Sequence, residues 1–317
     1  MAFQWLRRAF VLAASSLLLA ACGGGGDVVS QLQPSRIVAF GDGFSDLGQV
    51  GGARYTVNGG GNLWSQQLAA RYGLPLTAAA AGGTSYATGN ARVAAEPDAA
   101  GNAATPTIAE QIDTFLASGG TFGAGDLVLI NGGISDVIVQ GRDAIAGVQS
   151  GDQAVAGVRQ AGRDMGAQVR RLVDAGARYV VVVGPYNLGR SAWVRGGPRE
   201  GLLQQLSSAF DEELKIAIVD LGSRVLYVDL AFYYNLVTAS PTAYTLNEAA
   251  VNTVVCNTVD PGPGIGIGPG RVNSALCNTG TVVADPNVFF FADPVYPTPR
   301  AHVLFGDYAY DRVRNRF

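Results

Sequence analysis

Apolar residues follow two rhythms along this chain. Short, nearly unbroken runs at Arg36–Gly41, Leu127–Asn131, Tyr179–Gly184 and Arg224–Asp229 are bounded by turn-forming residues. Runs of that length, rich in Val, Leu and Ile, read as strands buried on both faces. A fifth strand is expected at Val288–Phe291. Between the second and third runs the period becomes helical. Val155, Val158, Met165, Val169 and Leu172 share one face of a helix that opens after Asp152 and stops near Gly176. A second helix starts at Pro198 and aligns Leu202, Leu206, Phe210, Leu214, Ile218 and Leu221. A last one is predicted from about Pro299 to Arg314. Alternation of buried strands with amphipathic helices specifies an α/β fold, with a parallel sheet of about five strands covered on both faces. Ligands of such sheets sit at the carboxyl ends of the strands. The residues that follow the predicted strands are therefore where chemistry is sought.

The chain has 317 residues, 48% of them hydrophobic, enough for one large domain or two small ones with a substantial core. Residues 1–22 do not belong to that core. Arg7 and Arg8 precede an apolar run from Ala9 to Ala21, the layout of a signal peptide. Its end, Leu19-Ala20-Ala21-Cys22, resembles the bacterial lipobox, which implies lipidation of Cys22. A plain secretory signal in which the cysteine stands by chance is the alternative. Residues 23–35, opening with four glycines, read as a flexible tether. The implied partner is a membrane, reached through the lipid anchor, and the implied place is the cell envelope. Gly23 stands where inner-membrane retention favours Asp, which points to the outer membrane.

Loss of residues 1–21 would remove Arg7 and Arg8 and move the formal charge from −3 to −5. Without a basic cluster, that balance argues against nucleic acid as a partner. Cys256 and Cys277 remain as a pair. In an oxidising compartment a disulfide is their default state. It would close a Pro/Gly-rich loop inside an insertion at about 237–285. Two metal-binding thiols are the alternative, but they lack His or further Cys partners.

Three segments carry the candidate chemistry. Phe40-Gly41-Asp42-Gly43-Phe44-Ser45-Asp46-Leu47-Gly48 follows the first strand, Gly133-Ile134-Ser135-Asp136 the second, and Asp293-Pro294-Val295-Tyr296-Pro297-Thr298 through His302 lies near the C-terminus. Together they resemble the first, third and last blocks of the GDSL or SGNH lipase/esterase family. The family patterns are roughly F-G-D-S-L-S-D-x-G, G-x-N-D and D-x-x-H-P-T-x-x-x-H. The resemblance spans Ser35 to Phe317 and implies a flavodoxin-like three-layer α/β/α SGNH-hydrolase fold. It also implies a site at Gly43, Gly83, Ser135, Asp293 and Tyr296. Gly43 then stands at the nucleophile, Ser135 at the oxyanion Asn, Tyr296 at the His, and Gly83 at the glycine whose N–H serves the oxyanion hole. Asp293 is retained.

Ester attack needs a nucleophile, a base and donors aimed at the oxyanion. Glycine offers no side chain, and a phenol with a pKa near 10 is a poor proton acceptor at neutral pH. An oxyanion hole alone is worth roughly 10³–10⁴ over water. The expectation is thus an inactive binding or structural component of the envelope that retains a cleft for a small acyl or glycan ligand. Tyr296 is expected to donate a hydrogen bond to Asp293.

The alternative is an active ester hydrolase using rearranged residues, Ser45 with His302, on an acyl, lipid or acetyl-glycan ester. His302 is the only histidine of the chain. A carboxylate cluster of Asp42, Asp46, Asp136 and Asp293, for a metal or for acid–base hydrolysis, is the least favoured reading, because Asp42, Asp136 and Asp293 match positions with local or triad roles in the family. Neither a metal nor another cofactor is expected. Phe232-Tyr233-Tyr234 and Trp193 are assigned to packing rather than to a ligand site.

Overall fold

The computed structural model describes Ser30 and residues 32–317. The signal peptide, Cys22 and most of the tether lie outside the described residues. The end of the expected tether, residues 23–35, is already part of the domain, because Leu32 is buried in the main core. An aliphatic side chain gains about 1.5–3 kcal/mol on leaving water, which favours seating it.

Four strands form a parallel sheet in the order β1 (Arg36–Phe40), β2 (Asp126–Asn131), β3 (Tyr179–Val183) and β4 (Val225–Tyr227). The register pairs Val38 with Val128 and Val128 with Val180. The predicted fifth strand at Val288–Phe291 does not form. Phe291 makes only isolated bridges, to Val254 and Pro297. Its backbone is bonded to the insertion and to the segment after it instead: Phe290 N donates to Ala250 O at 3.1 Å, and Phe290 O accepts from Thr298 N at 2.8 Å.

The other edge is extended instead. Residues 84–88 run parallel to β1, with Tyr86 N donating to Ala39 O at 2.7 Å and Thr88 N to Gly41 O at 3.1 Å. β1 therefore has a different later segment on each side. Its carboxyl end is the switch point at which an open α/β sheet leaves a crevice.

Helices α1 (Trp64–Arg71), α2 (Ile108–Ala117), α3 (Ile134–Ile145), α4 (Gly151–Asp174), α5 (Glu200–Ile218), α6 (Leu230–Ala239) and α7 (Pro299–Arg316) complete the domain. Helices α2 to α5 pack together, as do α1, α6 and α7, giving the three-layer α/β/α arrangement. In α4 the predicted face is buried at Val158, Met165, Val169 and Leu172. Ser150 caps it by accepting from Gln153 N. Gly162 and Gly166 let α5 approach closely: a Cβ there would lie 2.5 Å from Phe210 O and 2.3 Å from Ala217 Cβ.

Helix α5 starts two residues after the predicted Pro198, and Leu203 takes the core position expected of Leu202. Leu221 lies beyond the end of α5 and is only partly buried. Helix α7 begins at Pro299 as predicted, capped by Thr298.

The insertion is folded onto the carboxyl edge of the sheet. It contains a small ribbon, β5 (Val259–Asp260) with β6 (Arg271–Val272), and the disulfide Cys256–Cys277. Ile265 and Ile267 are buried in the main core. Arg142 donates to Gly266 O at 3.2 Å, and Asn90 Nδ2 to Gly264 O at 3.0 Å. Among the described residues no helix is long and apolar enough to cross a membrane.

Candidate functional site

At the carboxyl end of β1 the chain turns through Gly41-Asp42-Gly43, and the turn is held by side-chain acceptors. Asp42 Oδ1 accepts from Phe44 N at 3.0 Å and Asn131 Nδ2 at 2.7 Å, while Oδ2 accepts from Ile134 N at 3.2 Å. Asp42 thus ties the first turn to the start of α3. Gln111 brackets the same turn, accepting from Gly41 N and donating to Gly41 O, both at 2.9 Å. Gly133 opens α3 in the left-handed region at φ 104°, facing the Phe210 ring, where a Cβ would come within 2.7 Å. Ser135, on the first turn of α3, therefore faces the β1 turn.

The last block arrives from the opposite layer. Asp293 Oδ1 accepts from Val295 N at 2.8 Å and Tyr296 N at 2.6 Å, and Oδ2 accepts from Ser274 N at 3.0 Å. The carboxylate is satisfied by backbone, and the expected bond from the Tyr296 hydroxyl is not made. That hydroxyl points elsewhere. A Cβ built on Gly43 would lie 2.8 Å from Tyr296 Oη and 2.9 Å from Cζ.

The phenol therefore occupies the space a nucleophilic side chain would need. Tyr296, Ser135, Asp293 and His302 are all 0% exposed, and Gly43 is buried. Burial, then the Asp42, Tyr55 and Asp293 charges, raise the Tyr296 pKa well above its ordinary value, so it is a neutral phenol. The Ser135 hydroxyl faces it and tempers that shift, yet neither hydroxyl completes a well-formed hydrogen bond.

Gly83 does not join this group. Its N–H is spent on Ala78 O at 2.9 Å, and Thr84 beside it donates to Ile37 O near the start of β1. The glycine at the carboxyl end of the segment paired with β1 is Gly89. Its N–H donates to Asp46 Oδ2 at 2.7 Å, and a Cβ on it would lie 1.9 Å from the Tyr55 ring. The repeated motif was in the sequence, since Thr88-Gly89 closes an extended run as Phe40-Gly41 does. Choosing it over Gly82-Gly83 required knowing which run pairs with β1.

Ser45 and His302 do not form a catalytic pair. Ser45 is 1% exposed and its Oγ accepts from Trp64 Nε1 at 2.8 Å. His302 packs against the Phe44 ring at 4.8 Å, and neither ring nitrogen has a partner. Burial, with a smaller contribution from Arg54, lowers its pKa to about 3, so the imidazole is neutral. Asp46 braces its own turn by accepting from Gly48 N at 2.9 Å and Gln49 N at 2.7 Å. Asp136 is paired with Arg92 at 3.2 Å and Val93 N at 3.0 Å.

Burial pushes Asp42, Asp46 and Asp293 up to about 6, against the lowering effect of their hydrogen bonds. No group of three or more His, Cys, Asp or Glu suited to a metal occurs among the described residues. Of the aromatic residues assigned to packing, Tyr234 is buried and Tyr233 stacks on Tyr308 at 4.3 Å, whereas Phe232 is exposed.

Tyr55, which the sequence did not single out, is the wall of this filled region. Its ring lies 5.1 Å from that of Tyr296. On its other side is a pocket of about 240 Å³ that includes Asp46, Gly89, Asn90 and Asp98.

The arrangement is similar to known proteins over most of its length. A model of the family described as GDSL-like Lipase/Acylhydrolase matches residues 37–309. A Pseudomonas putida protein described as "Uncharacterized protein in trpE-trpG intergenic region" is 27% identical over 302 residues, covering 87% of this chain and 48% of that one. The chain thus spans about half the length of the curated relative it matches. A carbohydrate acetylesterase family member from Sinorhizobium meliloti aligns at TM-score 0.38 and 13% identity, over 89% of this chain and 98% of that one. Another solved structure aligns at TM-score 0.46 and 14% identity, over 89% of this chain and 96% of its own. With the three blocks brought to one end of the sheet and the family model spanning nearly the whole domain, this chain belongs to the GDSL-like lipase/acylhydrolase family.

Proposed function

We propose that this chain is a catalytically silent member of that family, held at the bacterial cell envelope through Cys22 and acting as a binding or structural component. The observation that carries the reading is the Tyr296 phenol in the space of the missing nucleophile at Gly43. An acyl carbonyl meets no side-chain nucleophile there, no imidazole base and no oxyanion amide. The backbone of the site is intact because Asp42 and Asp293 hold it through main-chain amides, which work without any reactive group. The outer membrane is the proposed location, on the lipobox-like end of the leader and Gly23 after it.

The test is short-chain ester hydrolysis by the domain starting after Cys22, beside the variant Gly43→Ser/Ser135→Asn/Tyr296→His. The natural protein is expected to be inert and the variant at least about 10³-fold above it. Turnover by the natural protein, above all turnover abolished by phosphonate labelling of Ser45 or by His302→Ala, would overturn the reading.

A further inference from the structure

The pocket beyond Tyr55 has a chemistry of its own. The side chains that shape it are Asp46, Tyr55, Asn90, Asp98, Asn102 and Thr105, and no Lys, Arg or His lines it. Asp98 accepts from Asn102 N at 2.8 Å and Thr105 Oγ1 at 2.7 Å. Asp46 accepts three main-chain N–H groups, from Gly48, Gln49 and Gly89. A carboxylate has about four acceptor positions, so roughly one remains on Asp46 and two on Asp98.

Asn90 adds an irregular feature. It is 6% exposed, its Oδ1 has no partner, and it holds φ at 60°, in the left-handed region. Strained backbone of this kind concentrates at ligand clamps. Tyr55 supplies an aromatic face and a hydroxyl. Burial and the Asp46 and Asp98 charges raise its pKa, so it keeps its proton and stays a donor.

These features select a ligand by elimination. An anion would face two carboxylates with no cation to offset them. An acyl chain would have to desolvate those carboxylates without replacing their water bonds. A cation would compete with five N–H and O–H donors that already share the negative charge. An uncharged molecule carrying several hydroxyls supplies donors to the spare acceptors, accepts from Tyr55 and lays a C–H face on its ring.

We infer that the pocket bounded by Asp46, Tyr55, Asn90 and Asp98 is a non-catalytic binding site for a neutral polyhydroxyl ligand, such as one sugar ring. This deepens the binding role proposed above and rests on that reading for the absence of turnover. Its volume suits one ring rather than a chain. Tyr55 separates the ligand from the filled Gly43 position, so a sugar seated there would be bound without being presented for attack.

The experiment is calorimetric and ligand-observed NMR titration of the domain starting after Cys22 with glucose, galactose and N-acetylglucosamine. Glucosamine, glucuronate, inorganic phosphate and butyrate are run in parallel. At least one neutral sugar is expected to bind saturably, with affinity insensitive to salt. Tyr55→Ala should weaken that binding about tenfold or more. Tyr55→Phe, which keeps the ring and the fold, should weaken it by a smaller factor.

Binding of only the amine, the anions or the fatty acid would overturn the assignment. So would no binding by any probe, or neutral-sugar binding that ignores both Tyr55 variants. Hydrolysis of an acetylated form of the bound sugar would instead sink the silent-enzyme reading while leaving the pocket assignment standing.

Discussion

Two neighbouring patches at the carboxyl edge of the sheet, one on each side of Tyr55, use polar groups in opposite ways. Around Gly43, Ser135, Tyr296 and His302 everything is buried, and two hydroxyls and an imidazole have no completed hydrogen bond. Around Asp46 and Asp98 the carboxylates are bonded to backbone and hydroxyl donors, and space remains. Buried groups without partners contribute nothing to stability and usually cost about 1–3 kcal/mol each. Their presence beside Gly43 teaches that the closed patch is filled by volume, whereas the open one is organised by hydrogen bonding.

The strongest way to break this comparison is to empty the closed patch. Tyr296→Ala removes a fully buried ring and is expected to cost about 3–5 kcal/mol, read as a lowered urea midpoint. A smaller loss would mean that the phenol is not close-packed.

The open patch is probed from its roof. Ala275 lines the pocket two residues from Cys277, whose disulfide to Cys256 holds the insertion. Cys256→Ser/Cys277→Ser is expected to cost about 3 kcal/mol. Amide exchange should quicken at Ser274, Ala275 and the pocket residues, and with them at the Asp293 turn that Ser274 N holds, while Phe44 N on the β1 turn, bonded to Asp42, stays native-like.

Third in size is a steric coupling. Gly43→Ser alone forces a Cβ against the phenol and should destabilise by about 1–3 kcal/mol. Combined with Tyr296→His, most of that loss should vanish, and a double-mutant cycle measures the difference. Additive effects would contradict the placement of Tyr296 over Gly43.

The smallest effect sharpens the contrast with a carboxyl outside both patches. Asp211, on α5, reaches Gly184 just past the end of β3, and its Oδ1 has no completed partner even though the Tyr227 hydroxyl is near. Burial raises its pKa to about 8. A raised carboxyl favours the folded state when protonated, so this stabilisation is complete below about pH 4 and is lost as pH rises through about 8. Asp42, Asp46 and Asp293 have the same sign but finish near 6. His302 has the opposite sign, its contribution being lost as pH falls from 6.5 towards 3. Between pH 6.5 and 8 Asp211 dominates among these groups. Stability should fall there by about 1–2 kcal/mol, and Asp211→Asn should flatten the slope in thermal melts.

Legibility in the sequence followed the length and continuity of the signal. The four strands of the sheet were readable because each is a near-continuous apolar run. The α4 helix was readable from a face repeated over several turns, and the end of the chain from Thr298-Pro299. The fifth strand failed because Phe289-Phe290-Phe291 is apolar without being free to pair. Gly83 failed because two short glycine-ended runs compete between β1 and α2, and local pattern does not say which lies beside β1.

By itself, the sequence determined the covalent inventory. There is no serine at 43, no amide at 135, no imidazole at 296, and one histidine in the whole chain. Those three positions cannot themselves supply, respectively, a hydroxyl nucleophile, a side-chain amide donor and an imidazole base, whatever the fold. The tertiary structure decided what fills their places: the Tyr296 ring over Gly43, Gly89 rather than Gly83 at the edge of β1, and a wall at Tyr55 with an open pocket behind it. Composition fixes which atoms exist. Only packing, which brings residues 43, 55, 89 and 296 within contact distance, fixes which space is left for a ligand.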